Sequence, residues 1–150
     1  MVLVLIMATV VASCSKDSDT TSTKLSAKID GKSWSATGRY TNLTGNVFVI
    51  TGTSLTGEVL VITIKGDSPD LYELNLSNLE CSATYKKSAL STSTDDIFQS
   101  ITGRVNLTKV DKENKKISGT FDFSLARLAL ETVAISNGSF NDLEYTVTSM

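Results

Sequence analysis

Histidine is absent from this chain of 150 residues. That absence removes the commonest general base, the commonest metal ligand and the side chain that titrates near neutrality. A surplus of either charge is missing too. Lys plus Arg number 14 and Asp plus Glu number 16, for a net charge of −2, so nothing here provides the electrostatic footprint of a nucleic-acid binder. The chain has one proline and two cysteines, Cys14 and Cys81. If Cys14 is committed elsewhere, no intrachain disulfide can form and Cys81 reads as a small buried hydrophobe. The longest apolar run, Met1 to Val11, is too short for a membrane-spanning helix, which needs about 20 residues.

What is present begins with that run. Met1 to Val11 has the character of the apolar core of a secretory signal, and small residues follow it. The basic residues that normally precede such a core are missing, which places the expected start upstream of Met1. Val11-Ala12-Ser13-Cys14 resembles the bacterial lipobox, in which the chain is cut before the cysteine and its thiol is acylated. Ser15 to Thr23 contains no apolar residue and reads as a flexible tether. Within it, Lys16-Asp17-Ser18-Asp19 resembles the export signal of surface lipoproteins from Bacteroidetes. The expected organisation is a signal peptide over residues 1–13, a lipidated Cys14 with its tether over 14–24, and one domain over 25–150.

The chain is 41% hydrophobic and 20% charged, an ordinary balance for a globular fold. From Leu25 the pattern takes on period two, the mark of half-buried strands. Leu25, Ala27 and Ile29 alternate with polar neighbours. Asp30-Gly31 is a turn dipeptide, and Lys32 to Thr37 returns with Trp34 as the anchor. Asn46–Thr51 and Glu58–Lys65 pair next. Leu71–Leu76 and Cys81–Lys86 follow, the former with Tyr72, Leu74 and Leu76 in phase. Lys87–Asp96 is a loop. Ile97 opens a long strand with Ile101, Gly103, Val105 and Leu107 on one face. Asp111–Lys115 makes a charged turn, with Asn114 suited to its left-handed position. The cleanest alternation is Ile117, Gly119, Phe121, Phe123 and Leu125. After a break near Ala126–Leu130 come Val133 and Ile135, an Asn137-Gly138 turn, then Leu143, Tyr145 and Val147. The pattern predicts an all-β antiparallel domain of roughly nine or ten strands, either a β-sandwich or one curled, barrel-like sheet. Gly103 and Gly119 on inward phases favour strong curvature.

Three segments carry a family resemblance. Ile29-Asp30-Gly31-Lys32-Ser33-Trp34-Ser35-Ala36 is similar to the opening hairpin of small Bacteroidetes lipoproteins. Gly103–Asp111 with Lys116–Phe123 resembles their C-terminal hairpin, and Ile135–Phe140 fits the closing segment. Together they resemble the DUF6252-like families of uncharacterised lipoproteins. The resemblance implies a fold and a membrane address, and brings no catalytic residues.

Chemistry in the body is sparse. Asp95-Asp96 is an adjacent acidic pair on a loop, and adjacent carboxylates diverge where acid/base work needs convergence. Calcium would need more oxygen ligands at regular spacing. Serines and threonines are plentiful but have no histidine base. Trp34, Tyr72 and Tyr145 fall on apolar phases and read as core, while Tyr85 shares a phase with Cys81 and Ala83. Tyr40, beside Arg39 near a loop, is the most exposed candidate for ligand contact. Sequons at Asn42, Asn75, Asn106 and Asn137 reflect Thr/Ser-rich turns and strands. No catalytic residue, metal or cofactor is expected. The expected function is a lipid-anchored, non-enzymatic accessory binding or structural component of the outer membrane or cell surface. Its partners would be the membrane itself and an unidentified glycan or protein. The alternative is a lipocalin-like carrier with an apolar cavity, unless Leu60, Ile62, Phe121 and Phe123 fill the interior.

Overall fold

A computed structural model describes residues 24–128 and 131–149. Cys14, the signal run and the tether lie outside the described residues. The domain is nearly all strand. A single curled sheet forms a half-barrel, which decides between the sandwich and the curled sheet. Its strands are β1 (Leu25–Ile29), β2 (Lys32–Ser35), β3 (Gly38–Thr44), β4 (Val47–Thr53), β5 (Val59–Lys65) and β6 (Asp70–Leu74). Then come β7 (Cys81–Lys86), β8 (Ile97–Asp111), β9 (Lys116–Ala126), β10 (Thr132–Glu144) and β11 (Thr146–Thr148). Ten of them run in the order β11-β3-β4-β5-β7-β8-β9-β10-β1-β2, and β6 pairs with β8 off that path. All pairs are antiparallel except β11 with β3.

Curvature comes from three glycine–phenylalanine pairs that face each other across strands. Gly103 is opposite Phe123, Gly119 opposite Phe140 and Gly138 opposite Phe121. Each ring lies where a glycine Cβ would be: a Cβ on Gly138 would come within 2.4 Å of the Phe121 ring, and one on Gly119 within 2.6 Å of Phe140. The absent side chains let the rings fold down onto the inner face, where Phe121 and Phe140 stack at 6.2 Å. Gly103 also has φ +154, a backbone state that side chains resist. β8, β9 and β10 shift register beside these pairs, as expected where bulges bend a sheet. The two limbs of the curl meet at Gly52, against Leu25, Trp34 and Ala36.

The inner face is continuous core. Phe48, Ile50, Leu60, Ile62, Phe98, Phe140 and Leu125 are fully buried, and Phe121 and Phe123 nearly so. Each such side chain contributes roughly 1.5–3 kcal/mol of hydrophobic stabilisation. Leu60, Ile62, Phe121 and Phe123 all belong to this cluster, so the interior is filled by the side chains in question. Cys81 is buried, and its thiol donates to the Tyr72 carbonyl at 3.3 Å.

Several local readings change. Tyr40 does not flank a loop; it belongs to β3, a strand whose first three residues are exposed and so carry no alternation. Asn137-Gly138 is no hairpin turn. It is a bulge inside β10, with Asn137 at φ 48. Leu76 lies beyond β6 and is fully exposed, and Ile101 is 58% exposed because β8 shifts register between Ser100 and Thr102. Lys115, not Asn114, takes the left-handed position in the β8–β9 turn. Asn114 instead bonds back to Asp111 at 2.9 Å.

Candidate functional site

A cleft of about 450 Å³, open to solvent, lies at one end of the half-barrel. Its first wall is the tip of the β1–β2 hairpin. Asp30 (φ 49) and Gly31 (φ 79) make the tight turn that the dipeptide predicts. The turn is clipped to β10: Asp30 N–H donates to the Ala134 carbonyl at 2.8 Å, and Ala134 N–H donates to the Asp30 carboxylate at 2.8 Å. Lys32, Ser33 and Trp34 follow along this wall, with Ile29 and Val133 as apolar lining.

The opposite wall is the β4–β5 loop. Its backbone closes through Ser54 N–H to Glu58 O at 2.9 Å and Gly57 N–H to Ser54 O at 3.0 Å. This brings three hydroxyls onto one carboxylate. The Glu58 carboxylate accepts from Ser54 Oγ at 3.0 Å, from Thr56 Oγ1 at 2.8 Å and from Tyr85 OH at 2.7 Å. Tyr85 comes from β7, is buried, and packs against Phe98. Lys87 closes the rim through an ion pair with Glu131 at 2.7 Å, its ammonium 5.2 Å from the centre of the Phe98 ring.

The electrostatics follow from those bonds. Burial pushes the Glu58 carboxyl up, but the hydroxyls of Tyr85, Thr56 and Ser54 and the charge of Lys32 together outweigh it, so its pKa falls below the ordinary value. Glu58 is therefore a carboxylate at neutral pH. Burial raises the Tyr85 phenol, and its bond to Glu58 raises it further, so Tyr85 stays a neutral donor. The indole N–H of Trp34 is buried without an acceptor among the described residues. A buried donor left unpaired costs about 1–3 kcal/mol. The arrangement can hold and orient a polar ligand: it offers an ionised acceptor in Glu58 and a nearby ammonium in Lys32.

The residues singled out from the sequence lie elsewhere. Arg39 and Tyr40 are adjacent on β3 and so point to opposite faces of the sheet. Arg39 donates to the Ala36 carbonyl at 2.9 Å and borders a small depression with Lys24 and Glu144. Tyr40 is 60% exposed on the outer face, its hydroxyl 3.4 Å from that of Thr146. The two do not converge on one site. Asp95 and Asp96 sit on a short 3₁₀ turn (Thr94–Asp96) capped by Ser93. Asp96 accepts from Ser91 Oγ and from Arg127, the latter at 3.4 Å, which makes the pair a knit loop. Burial pushes the Cys81 thiol up to about 11, so it is protonated and inert at neutral pH. No group of three or more metal-ligating side chains converges among the described residues.

Sequence reasoning passed over Glu58 and Lys32 as a site. One signal was available: Ser54-Leu55-Thr56-Gly57-Glu58 sets two hydroxyls and a carboxylate at alternate positions of a tight loop. Nothing in the sequence places Tyr85 above them.

A family model described as a domain of unknown function, DUF6252, matches residues 21–144. No curated protein and no solved structure matches the chain.

Proposed function

The chain belongs to the DUF6252 family, and from that premise we propose a lipid-anchored outer-membrane lipoprotein whose β domain binds a ligand without transforming it. The observation that carries this reading is the polarity of the domain. The chain enters β1 at Lys24, whose carbonyl accepts from Asn141 N–H at 2.9 Å. Asp30 and the cleft lie at the far end of the same strand, roughly 15 Å away at strand rise. A tether that starts at Cys14 therefore holds the domain by one end and presents the cleft at the other, away from the lipid surface.

Val11-Ala12-Ser13-Cys14 supports the anchor, and Lys16-Asp17-Ser18-Asp19 supports a surface-exposed lipoprotein of the Bacteroidetes type. The packed interior favours this reading over a lipocalin-like carrier, because Leu60, Ile62, Phe121 and Phe123 occupy the volume an enclosed apolar ligand would need. Replacement of Cys14 by Ser tests the anchor. The Cys14→Ser protein is expected in the soluble fraction without detergent. Retention in the membrane fraction, released only by detergent, would overturn the anchor.

A further inference from the structure

We propose that the cleft takes a neutral saccharide, held through its hydroxyl groups; this names the ligand class of the binding role proposed above and rests on it. The formal charges that line the cleft sum to zero, Lys32 and Lys87 against Asp30 and Glu58. Lys32 stands close enough to Glu58 to favour its ionised form, and Lys87 is bonded to Glu131 outside the lining. The Asp30 carboxylate accepts from Ala134 N–H. An ionic ligand would bring an uncompensated charge into this balance. A wholly apolar ligand would strand the polar groups, because burying them without partners is unfavourable.

Hydrogen-bond capacity of both kinds remains. The Glu58 carboxylate offers about four lone-pair sites, and Ser54, Thr56 and Tyr85 occupy three of them. Lys32 adds an ammonium, which forms no hydrogen bond or ion pair among the described residues. A sugar hydroxyl donates and accepts at once, so one neutral molecule can satisfy the ammonium and the carboxylate together. Its C–H faces would lie on Ile29 and Val133. Trp34 and Tyr85 are 4% and 3% exposed, so neither is an open stacking face, and Tyr85 acts through the phenol that orients Glu58. The volume of the cleft, about 450 Å³, falls in the range of small-ligand sites.

Trp34 is the only tryptophan, so its indole gives a single ¹H–¹⁵N resonance. The full chain, in a detergent without a sugar headgroup, is titrated with maltose, cellobiose and lactose as neutral probes, and with glucosamine and glucuronate as charged ones. The expected result is a saturable shift of the indole resonance with a neutral disaccharide, about tenfold tighter than with either charged sugar. Lys32→Met, an exposed change, should weaken that binding about fivefold or more while the domain stays folded, its thermal midpoint lowered only slightly by loss of the Lys32 charge beside Glu58. Preference for a charged sugar overturns the ligand class and leaves the binding role standing. If no sugar moves the resonance, both fall, whatever Cys14→Ser does to fractionation. A shift that never saturates, or that ignores Lys32→Met, is adventitious binding and overturns the proposal.

Discussion

Glu58 holds its charge among hydroxyls, and this makes it the most informative single residue in the domain. Its carboxyl lies below the ordinary value because the ionised form receives bonds from Ser54, Thr56 and Tyr85 and the field of Lys32, which outweigh its partial burial. A carboxyl whose folded pKa is depressed contributes stability above its unfolded value, and that stability is lost as pH falls through the folded value. Tyr85→Phe deletes the shortest of the three hydroxyl bonds and adds no bulk. Urea unfolding at neutral pH should place the variant about 1–2 kcal/mol below the parent. The difference should shrink as pH falls from the ordinary carboxyl range through the depressed Glu58 value, where Glu58 protonates in both proteins. A pH-independent difference would mean that the loss at Tyr85 does not depend on the charge of Glu58.

At the scale of elements, legibility tracks how much of a strand faces the core. β9 alternates without interruption from Ile117 to Leu125, because each inward position meets the filled interior, and the sequence displays that alternation directly. β3 was hidden because its first three residues are solvated. β10 read as two strands because Asn137-Gly138 has the chemistry of a turn. Tertiary packing decides otherwise: Phe121 occupies the space a side chain at position 138 would fill, so Gly138 serves a ring and not a reversal. The cleft was illegible for a related reason. Asp30, Glu58, Tyr85 and Val133 come from four distant parts of the chain, and only the curl brings them to one mouth. The glycine–phenylalanine pairs are what make the curl, and Gly119 tests them. A Cβ there would lie 2.5 Å from the Asn106 carbonyl oxygen as well as against Phe140. Backbone cannot step aside as a side-chain tip can, so Gly119→Ala should lower stability by about 2–3 kcal/mol in denaturant titration. Thr120→Ala, at the exposed neighbouring position, should stay within about 0.5 kcal/mol. Equal losses at both positions would show that close approach at Gly119 does not shape the sheet.

The whole molecule has two ends with different chemistry. One receives the chain at Lys24 and carries the charged β8–β9 turn. The other gathers the Asp30-Gly31 turn, the Ser54–Glu58 loop and the end of β7 around the cleft. Between them the packed half-barrel acts as a rigid spacer, since its interior is filled from Leu25 through Phe140. This division is what makes an anchor at Cys14 meaningful: the lipid would fix one end and free the other for a ligand. Intact and peptide mass spectrometry of the membrane-purified protein tests that account most directly. It predicts a mature chain that begins at Cys14, with diacylglycerol on the thiol. An unmodified Cys14 thiol, or a mature chain that still carries residues preceding Cys14, would contradict it.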